Sequence, residues 1–465
     1  MKLMPTSQHT PACGHPSQRG DLDLRGSALE RGARQGGVCW GAAKAIRSSI
    51  CVLVLIALRF PLPAAPLPAG DPVAAGFSTE RLERIHRLLQ GEVDAAHCAG
   101  AITLIARDGK IIDAHTSGYR DVSAKLPMER DSLLYIYSLT KPTVAVMTLM
   151  LWEEGRFGLD EPIAKYLPEF KDLKVLTGGT AEQPQVSDAR PVTIRHLLTH
   201  TAGFAYDWNA APALQPLYRQ ADLFRSTTMA DFARRLAKIP LNHQPGDAFL
   251  YGASFDVLGY LIETLTKQPL EQVMHDRLFA PLGMHDTFFL VPTGKRDRLA
   301  VVHRRDASGE LQAEKPDAVV ARASGAEVFP NGSGGLVSTA DDYARFAQML
   351  LNGGELDGVR LLGPKTVAFM ASDQLKQIKT PTTFMGPAGT YGLGVGVWGA
   401  GSGSDSPGSP GRFGWTGYAT TYCNIDPVEG TVAIVFAQHV PYDEFGLFPR
   451  FSTTFYQAMV TSRAK

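Results

Sequence analysis

Strand-forming patterns in this 465-residue chain are confined to two regions far apart in sequence, and that separation limits the folds open to it. Near the start, "AGAITLIARDGKIIDAHTSGYRD" reads as a β-hairpin, because two apolar runs flank Asp108-Gly109, a dipeptide suited to a two-residue turn. Near the end, "TYGLGVGVWG", "RFGWTGYATTYCNID" and "GTVAIVFAQH" return to strand composition between Gly/Ser/Pro-rich turns. Between them, from about 138 to 330, apolar spacing is helical and strand signals are few: "TIRHLLTH", "MADFARRLAKI", "SFDVLGYLIETLTK" and "LEQVMHDRLFAPLG" end at Pro or Gly stops. A capped helix pattern, "FSTERLERIHRLLQGEV", precedes the hairpin, and "STADDYARFAQMLLNGG" and "FPRFSTTFYQAMV" add helices on the C-terminal side.

The expected fold is therefore α/β (α+β): an antiparallel β-sheet assembled from residues 76–137 and 331–465, flanked by helices, with a mostly helical subdomain, about 138–330, inserted. Ligand clefts favour such a boundary. With 44% hydrophobic residues the chain can bury a large core. Forty-six basic residues balance forty-six acidic ones with no basic block, so no nucleic-acid partner is implied and the expected substrate is a small molecule of low charge. Five cysteines, at 13, 39, 51, 98 and 423, lack C-x-x-C spacing; Cys98 and Cys423 could pair only if the fold brought them together.

Residues 1–75 form a leader of different character, rich in Gly, Arg, Ser and Pro. Its apolar run, residues 50–58, is too short to span a bilayer comfortably. Lys44 and Arg47 precede the run and "RFPLPAAPLPAG" follows it, the order of a signal peptide over roughly residues 44–70. That order implies a periplasmic or secreted protein, touching a membrane only through an uncleaved N-terminal segment. A merely disordered or amphipathic leader, and a cytoplasmic protein, is the alternative.

One stretch carries candidate chemistry: "YIYSLTKPTVAVMTLMLWEEG" sets Ser138 three residues before Lys141. Spacing alone proves nothing, since Ser462 and Lys465 repeat it at the C-terminus. Pro142 is more informative, because proline is tolerated only in the first turn of a helix, so the helix starts close to Ser138. Lys141 then shares a face with Ser138, and a buried lysine amine tends to lose its proton and act as a base. Taken alone, the segment fits equally a Ser/Thr-rich helix cap followed by a solvated lysine.

Further motifs follow in order: "HLLTHTAGF", "PGDAFLYGASFDVLGYLIE", "PLGMHDT", "GGLVSTADDYARF" and "FGWTGY". Together with the Ser-x-x-Lys pair they resemble the serine β-lactamase and penicillin-binding-protein superfamily over about residues 80–460. Its nearest branches are class C β-lactamases, D-alanyl-D-alanine carboxypeptidases and family VIII carboxylesterases. The resemblance implies Ser138 as an acylated nucleophile, Lys141 as its proton acceptor and Tyr251 as a second general acid/base, with no cofactor and no metal. It puts Trp415-Thr416-Gly417 on the edge strand lining the site, with the backbone N–H groups of Ser138 and Tyr418 as an oxyanion hole.

Two departures select a branch. Neutral Trp415 stands where a Lys or His would draw a substrate carboxylate, and Ala253, in Tyr251-Gly252-Ala253, offers no amide to a substrate acylamino group. The pattern resembles the carboxylesterase branch, which implies hydrolysis of small uncharged esters. Ser254 could partly replace the missing polar group, which leaves β-lactamase or D-amino-acid peptidase activity as alternatives, and a catalytically idle binding or sensor domain as one outside enzymes.

Competing signals are weaker. No G-x-S-x-G nucleophile elbow occurs. His196 and His200 have the spacing of a helical zinc pair but lack its Glu and a third ligand, so structural hydrogen bonding is expected of them. Trp415 is expected to be an exposed ring lining the pocket, with sheet packing as the alternative. Substrate preference would lie in loops 172–190, 205–228 and 376–412.

Overall fold

The fold is taken from a computed structural model, which describes residues 66–399 and 406–464. The apolar run 50–58, and with it the expected signal peptide, lies outside the described residues.

The hairpin at Asp108-Gly109 begins the sheet in chain order. Both turn residues take left-handed backbone, φ 50° and 76°, as a two-residue hairpin turn demands. They join β1 (Gly100–Arg107) to β2 (Lys110–Asp121), which passes to a short β3 (Leu126–Pro127). Every β1 residue is buried, so this strand belongs to the sheet interior. The C-terminal strands supply its other neighbour. β4 (Gly389–Tyr391), β5 (Gly396–Trp398), β6 (Arg412–Gly417), β7 (Thr421–Asp426) and β8 (Thr431–Ala437) form an antiparallel meander, and β8 pairs with β1 from Ala101↔Ala437 to Arg107↔Thr431. The sheet order is β4-β5-β6-β7-β8-β1-β2-β3, one antiparallel sheet built from both chain ends.

Alternation along β1 and β8 divides the core in two. Ala101, Ile105, Val435 and Ala437 face helices α1 (Thr79–Asp94) and α5 (Leu447–Ala458). Ile102, Leu104, Ile434 and Phe436 face the opposite side, where α4 (Ala340–Leu351) lays Tyr343 and Phe346 against the strands. Helix α1 is capped as its sequence suggests: Ser78 accepts the Arg81 N–H, and Leu82, Ile85 and Leu89 form its buried stripe.

Cys98 and Cys423 lie in the two different cores, on opposite faces of the sheet, and both are free thiols. They do not pair. The folded body also begins before residue 76: Leu67 is buried, and the Gly70 N–H donates to the Ile111 carbonyl at 2.7 Å, which docks this end of the leader on β2.

The inserted region holds α2 (Thr140–Glu153), buried from Thr140 to Leu151, and α3 (Ser254–Thr266) packed beside it. Along that stretch α2 leaves no face to solvent, as a helix in the middle of a core should. The region is less free of strands than its composition suggests. A hairpin of Lys174–Gly179 and Pro184–Asp188 fills much of the 172–190 loop. His303–Arg305 pairs with Leu311–Ala313 and with His439–Val440. The first hairpin is mostly exposed, so burial imposes no apolar alternation on its sequence.

The chain leaving β3 passes through Leu134–Tyr135, which pairs with Val337–Ser338, and reaches Ser138 beside the end of β6. Gly417 sets that approach: a Cβ there would fall 2.2 Å from the Ile136 carbonyl oxygen and 2.3 Å from Thr421 Oγ1. Gly417→Ala is expected to cost about 1–3 kcal/mol of stability by forcing β6 away from Ile136, read as a lowered Tm. Gly91→Ala, inside α1 with nothing within 4 Å of the new Cβ, should instead stabilise by about 0.5–1 kcal/mol. Equal Tm values for the two variants would contradict the close-approach role of Gly417.

Candidate active site

Ser138 stands on a strained turn. Tyr137 takes φ 44°, a left-handed conformation that a bulky side chain rarely adopts, and opens a 3-10 turn, Tyr137–Leu139, that runs into α2. Anchors on both sides hold it there. The Ile136 N–H donates to the Leu336 carbonyl at 3.1 Å, Gln438 binds the Tyr135 N–H and carbonyl, and Thr421 Oγ1 donates to the Ile136 carbonyl at 3.3 Å. The Tyr137 ring meets Tyr418 edge-on at 5.6 Å. Pro142 falls in the first turn of α2, where it costs no intrahelical bond.

Two donors converge on the Ser138 hydroxyl. Lys141 Nζ lies 3.0 Å from Ser138 Oγ, and the Tyr251 hydroxyl, from a segment 113 residues away, lies 2.8 Å from it. Lys141 is 1% exposed, and its amine also donates to the Ser333 carbonyl at 2.8 Å. Burial pushes the Lys141 pKa down, partly opposed by the negative charge of Asp256. Burial pushes the Tyr251 hydroxyl up to about 12, against its hydrogen bonds with Ser138 and Trp415. Lys141 is thus the group able to offer a free base, while Tyr251 keeps its proton and can donate it. A hydroxyl, an amine and a phenol thus meet within hydrogen-bond reach, the geometry that a nucleophile, a base and an acid would need.

The support around Tyr251 is aromatic. The His200 ring packs on Tyr251 at 4.6 Å and on Phe255 at 5.1 Å, and its Nδ1 accepts the Gly252 N–H at 3.3 Å. Burial and the nearby Lys141 hold His200 far below the usual histidine range, so it is a neutral ring. His196 works elsewhere, where its Nδ1 accepts the Thr193 N–H and closes the cap of helix Ile194–Leu198. These are the structural hydrogen bonds expected of the two histidines.

Trp415 departs from expectation. Its ring is 5% exposed, buried against Tyr391 at 5.0 Å, with Gly396 leaving it room. Only its indole N–H addresses the site, 3.4 Å from the Tyr251 hydroxyl. Nor is β6 an edge strand, since β5 and β7 flank it. β5, however, pairs only as far as Gly414, so Trp415-Thr416-Gly417 runs on with β7 alone and behaves locally as an edge. Thr416 Oγ1 accepts from the Tyr442 hydroxyl at 3.0 Å. Ala253 and Ser254 are fully buried at the start of α3, and the Ser254 hydroxyl finds no partner among the described residues. Of the second Ser-x-x-Lys spacing, Lys465 lies outside the described residues, and the Ser462 hydroxyl donates to Glu429 Oε1 at 2.5 Å.

Four contributors carry no assigned role in the sequence reading. Asp256 and Ser333 lie beneath Lys141, and Tyr206 and Phe384 flank Tyr251, with ring centroids at 5.9 and 5.2 Å. For Asp256 a signal existed: a lone carboxylate inside the apolar run "SFDVLGYLI". The loop aromatics had none.

Comparison with known proteins identifies the family. Residues 85–449 match the family profile described as Beta-lactamase. Over 359 residues the chain is 33% identical to Protein Rv1367c of Mycobacterium tuberculosis, covering 75% of this chain and 88% of that one. It is 31% identical over 297 residues to Esterase EstB of Burkholderia gladioli, covering 59% and 71% respectively. Among solved structures it resembles EstCE1, described as a hydrolase with promiscuous acyltransferase activity, at TM-score 0.70 and 26% identity, covering 84% of this chain and all of that one.

The arrangement predicts a pH dependence with a definite sign. Only the neutral amine of Lys141 can take the Ser138 proton, and burial lowers its pKa from 10.5. The rate at which a fluorophosphonate labels Ser138 should therefore rise with pH and level off well below 10.5. Lys141→Met should lower the plateau about 10²–10⁴-fold. A rate that falls as pH rises would mean that the ammonium form is the active one.

Proposed function

Because this chain belongs to the β-lactamase family, we propose that it is a serine hydrolase of the carboxylesterase kind, acylated at Ser138 by small uncharged esters. In this reading the Lys141 amine takes the Ser138 proton as Oγ attacks the ester carbonyl carbon. The oxyanion that forms faces the backbone N–H groups of Ser138 and Tyr418. As the tetrahedral intermediate collapses, the C–O bond to the alcohol breaks and the Tyr251 hydroxyl protonates the departing oxygen. The Lys141 ammonium then returns a proton to the tyrosinate. Water repeats the sequence on the acyl-enzyme, freeing the acid and restoring Ser138.

The observation that carries the ester preference is the neutral Trp415 N–H at the Tyr251 hydroxyl. A substrate carboxylate would find no cation there to form a charge-assisted bond. The site's rim supports the same reading: Phe384, 51% exposed, stacks on Tyr251, and Trp208, 64% exposed, stacks on Tyr206 at 6.1 Å. Those rings suit an apolar acyl or alcohol group.

A second reading, acyl transfer to an alcohol in place of water, is favoured by the likeness to EstCE1 and by the same apolar rim, which would hold an organic acceptor over Ser138. β-Lactam hydrolysis is the weaker reading, because Ala253 offers no amide and the Ser254 hydroxyl beside it is fully buried.

p-Nitrophenyl butyrate should be turned over, Ser138→Ala should abolish turnover, and nitrocefin should be hydrolysed more slowly than the ester. Phe384→Ala should raise KM for the butyrate more than for the acetate, by roughly fivefold if the lost stacking is worth about 1 kcal/mol. Turnover that survives Ser138→Ala would refute the proposal, and nitrocefin hydrolysed faster than any ester would reverse the branch assignment.

A further inference from the structure

Asp256 sits in the first turn of α3 with no exposure to solvent. Its carboxylate accepts two hydrogen bonds from one residue: the Ser333 N–H at 3.1 Å and the Ser333 hydroxyl at 2.5 Å. The same Ser333 presents its carbonyl to Lys141 Nζ at 2.8 Å. Three segments meet here, namely α2, the start of α3 and the chain before Val337. Gly332 makes the meeting possible, because a Cβ at that position would fall 2.5 Å from the Phe255 carbonyl oxygen.

A buried carboxylate that touches no cation is expensive to hold in place. Both hydrogen bonds to the Asp256 carboxylate come from the neutral Ser333. Burial pushes the Asp256 carboxyl up, against the Ser333 hydrogen bonds and the positive charge of Lys141; once ionised, it adds the charge that an Asn, able to satisfy Ser333 nearly as well, would lack. The remaining groups around the Lys141 amine are Tyr251, with its ring centroid 4.5 Å away, Tyr206, at 6.0 Å, and the His200 ring, held neutral by burial. The field that Asp256 exerts on Lys141 favours the ammonium form.

We propose that Asp256 is a positioning residue for Lys141: it anchors Ser333, whose carbonyl oxygen holds the amine, and it places a negative charge behind that amine. The inference rests on Lys141 being the base for Ser138. It predicts that the charge sets the acid side of the pH profile while the anchor sets its height. Removing the charge makes the ammonium easier to deprotonate, so the profile moves to lower pH. Removing an anchoring bond loosens the carbonyl, so the plateau falls; losing the Ser333 hydroxyl also takes from the carboxylate a donor that favours its charged form, so the profile moves slightly to lower pH as well.

The test is the pH dependence of Ser138 labelling by a fluorophosphonate, read by mass spectrometry on the full chain. Asp256→Asn should move the midpoint lower by about one pH unit and reduce the plateau about tenfold. Ser333→Ala deletes the hydroxyl donor but keeps the N–H and the carbonyl, and should give a smaller shift in the same direction. A midpoint that stays or moves upward overturns the inference, even if the plateau drops, because a merely structural defect would do that. Should Asp256→Asn fail to fold, Ser333→Ala decides by the same criterion. Labelling does not require ester turnover, so a protein that labels normally yet hydrolyses no p-nitrophenyl ester refutes the esterase proposal alone. A wild-type profile without any rise removes Lys141 as base, and this inference with it.

Discussion

Lys141 is almost wholly enclosed, and its amine touches a serine hydroxyl and a carbonyl oxygen but no carboxylate. An ammonium in such a place loses most of its hydration, and the two neutral acceptors return only part of it. The surroundings therefore have to hold a group that is easier to keep neutral than charged. α2 is buried along Thr140–Leu151, Tyr251 covers the amine with its ring, and the Ser333 carbonyl closes the remaining side. Weakening any of these would readmit water and restore an ordinary, protonated lysine.

That enclosure depends on a backbone conformation the chain would not choose locally. Tyr137 at φ 44° is the kind of strain that persists only where its neighbours over-determine it. Here the neighbours all come from the C-terminal part of the chain, since Ile136 is held by Leu336, Thr421 and the close approach of Gly417, and Tyr135 by Gln438. The sheet thus does more than carry the helices. It clamps the turn that lifts Ser138 to meet Lys141 and Tyr251.

Much of this is legible in the chain and some is not, along a consistent line. The Asp108-Gly109 turn, the Ser78 cap of α1 and the start of α2 near Pro142 follow from residues within four positions of one another. The Lys174–Asp188 hairpin leaves little trace in the sequence because its strands are largely exposed, and without burial no periodicity is imposed. The glycines flanking Trp415 suggest open space and hence an exposed ring. In the fold, Gly396 of the neighbouring strand leaves that space for the indole itself, and Tyr391 closes over it.

By itself, then, the sequence determined the local pieces that burial patterns: the main helices and the strands of the large sheet, where several of them begin, and that Ser138 and Lys141 share one helical face. Only the tertiary structure decided the chemistry open to them. Tyr251 reaches Ser138 across 113 residues, and Asp256 meets Ser333 across 77. Secondary structure is set by steric and hydrogen-bonding constraints between near neighbours, whereas a depressed lysine pKa needs water removed from every side. Surfaces from distant parts of the chain have to come together before that can happen.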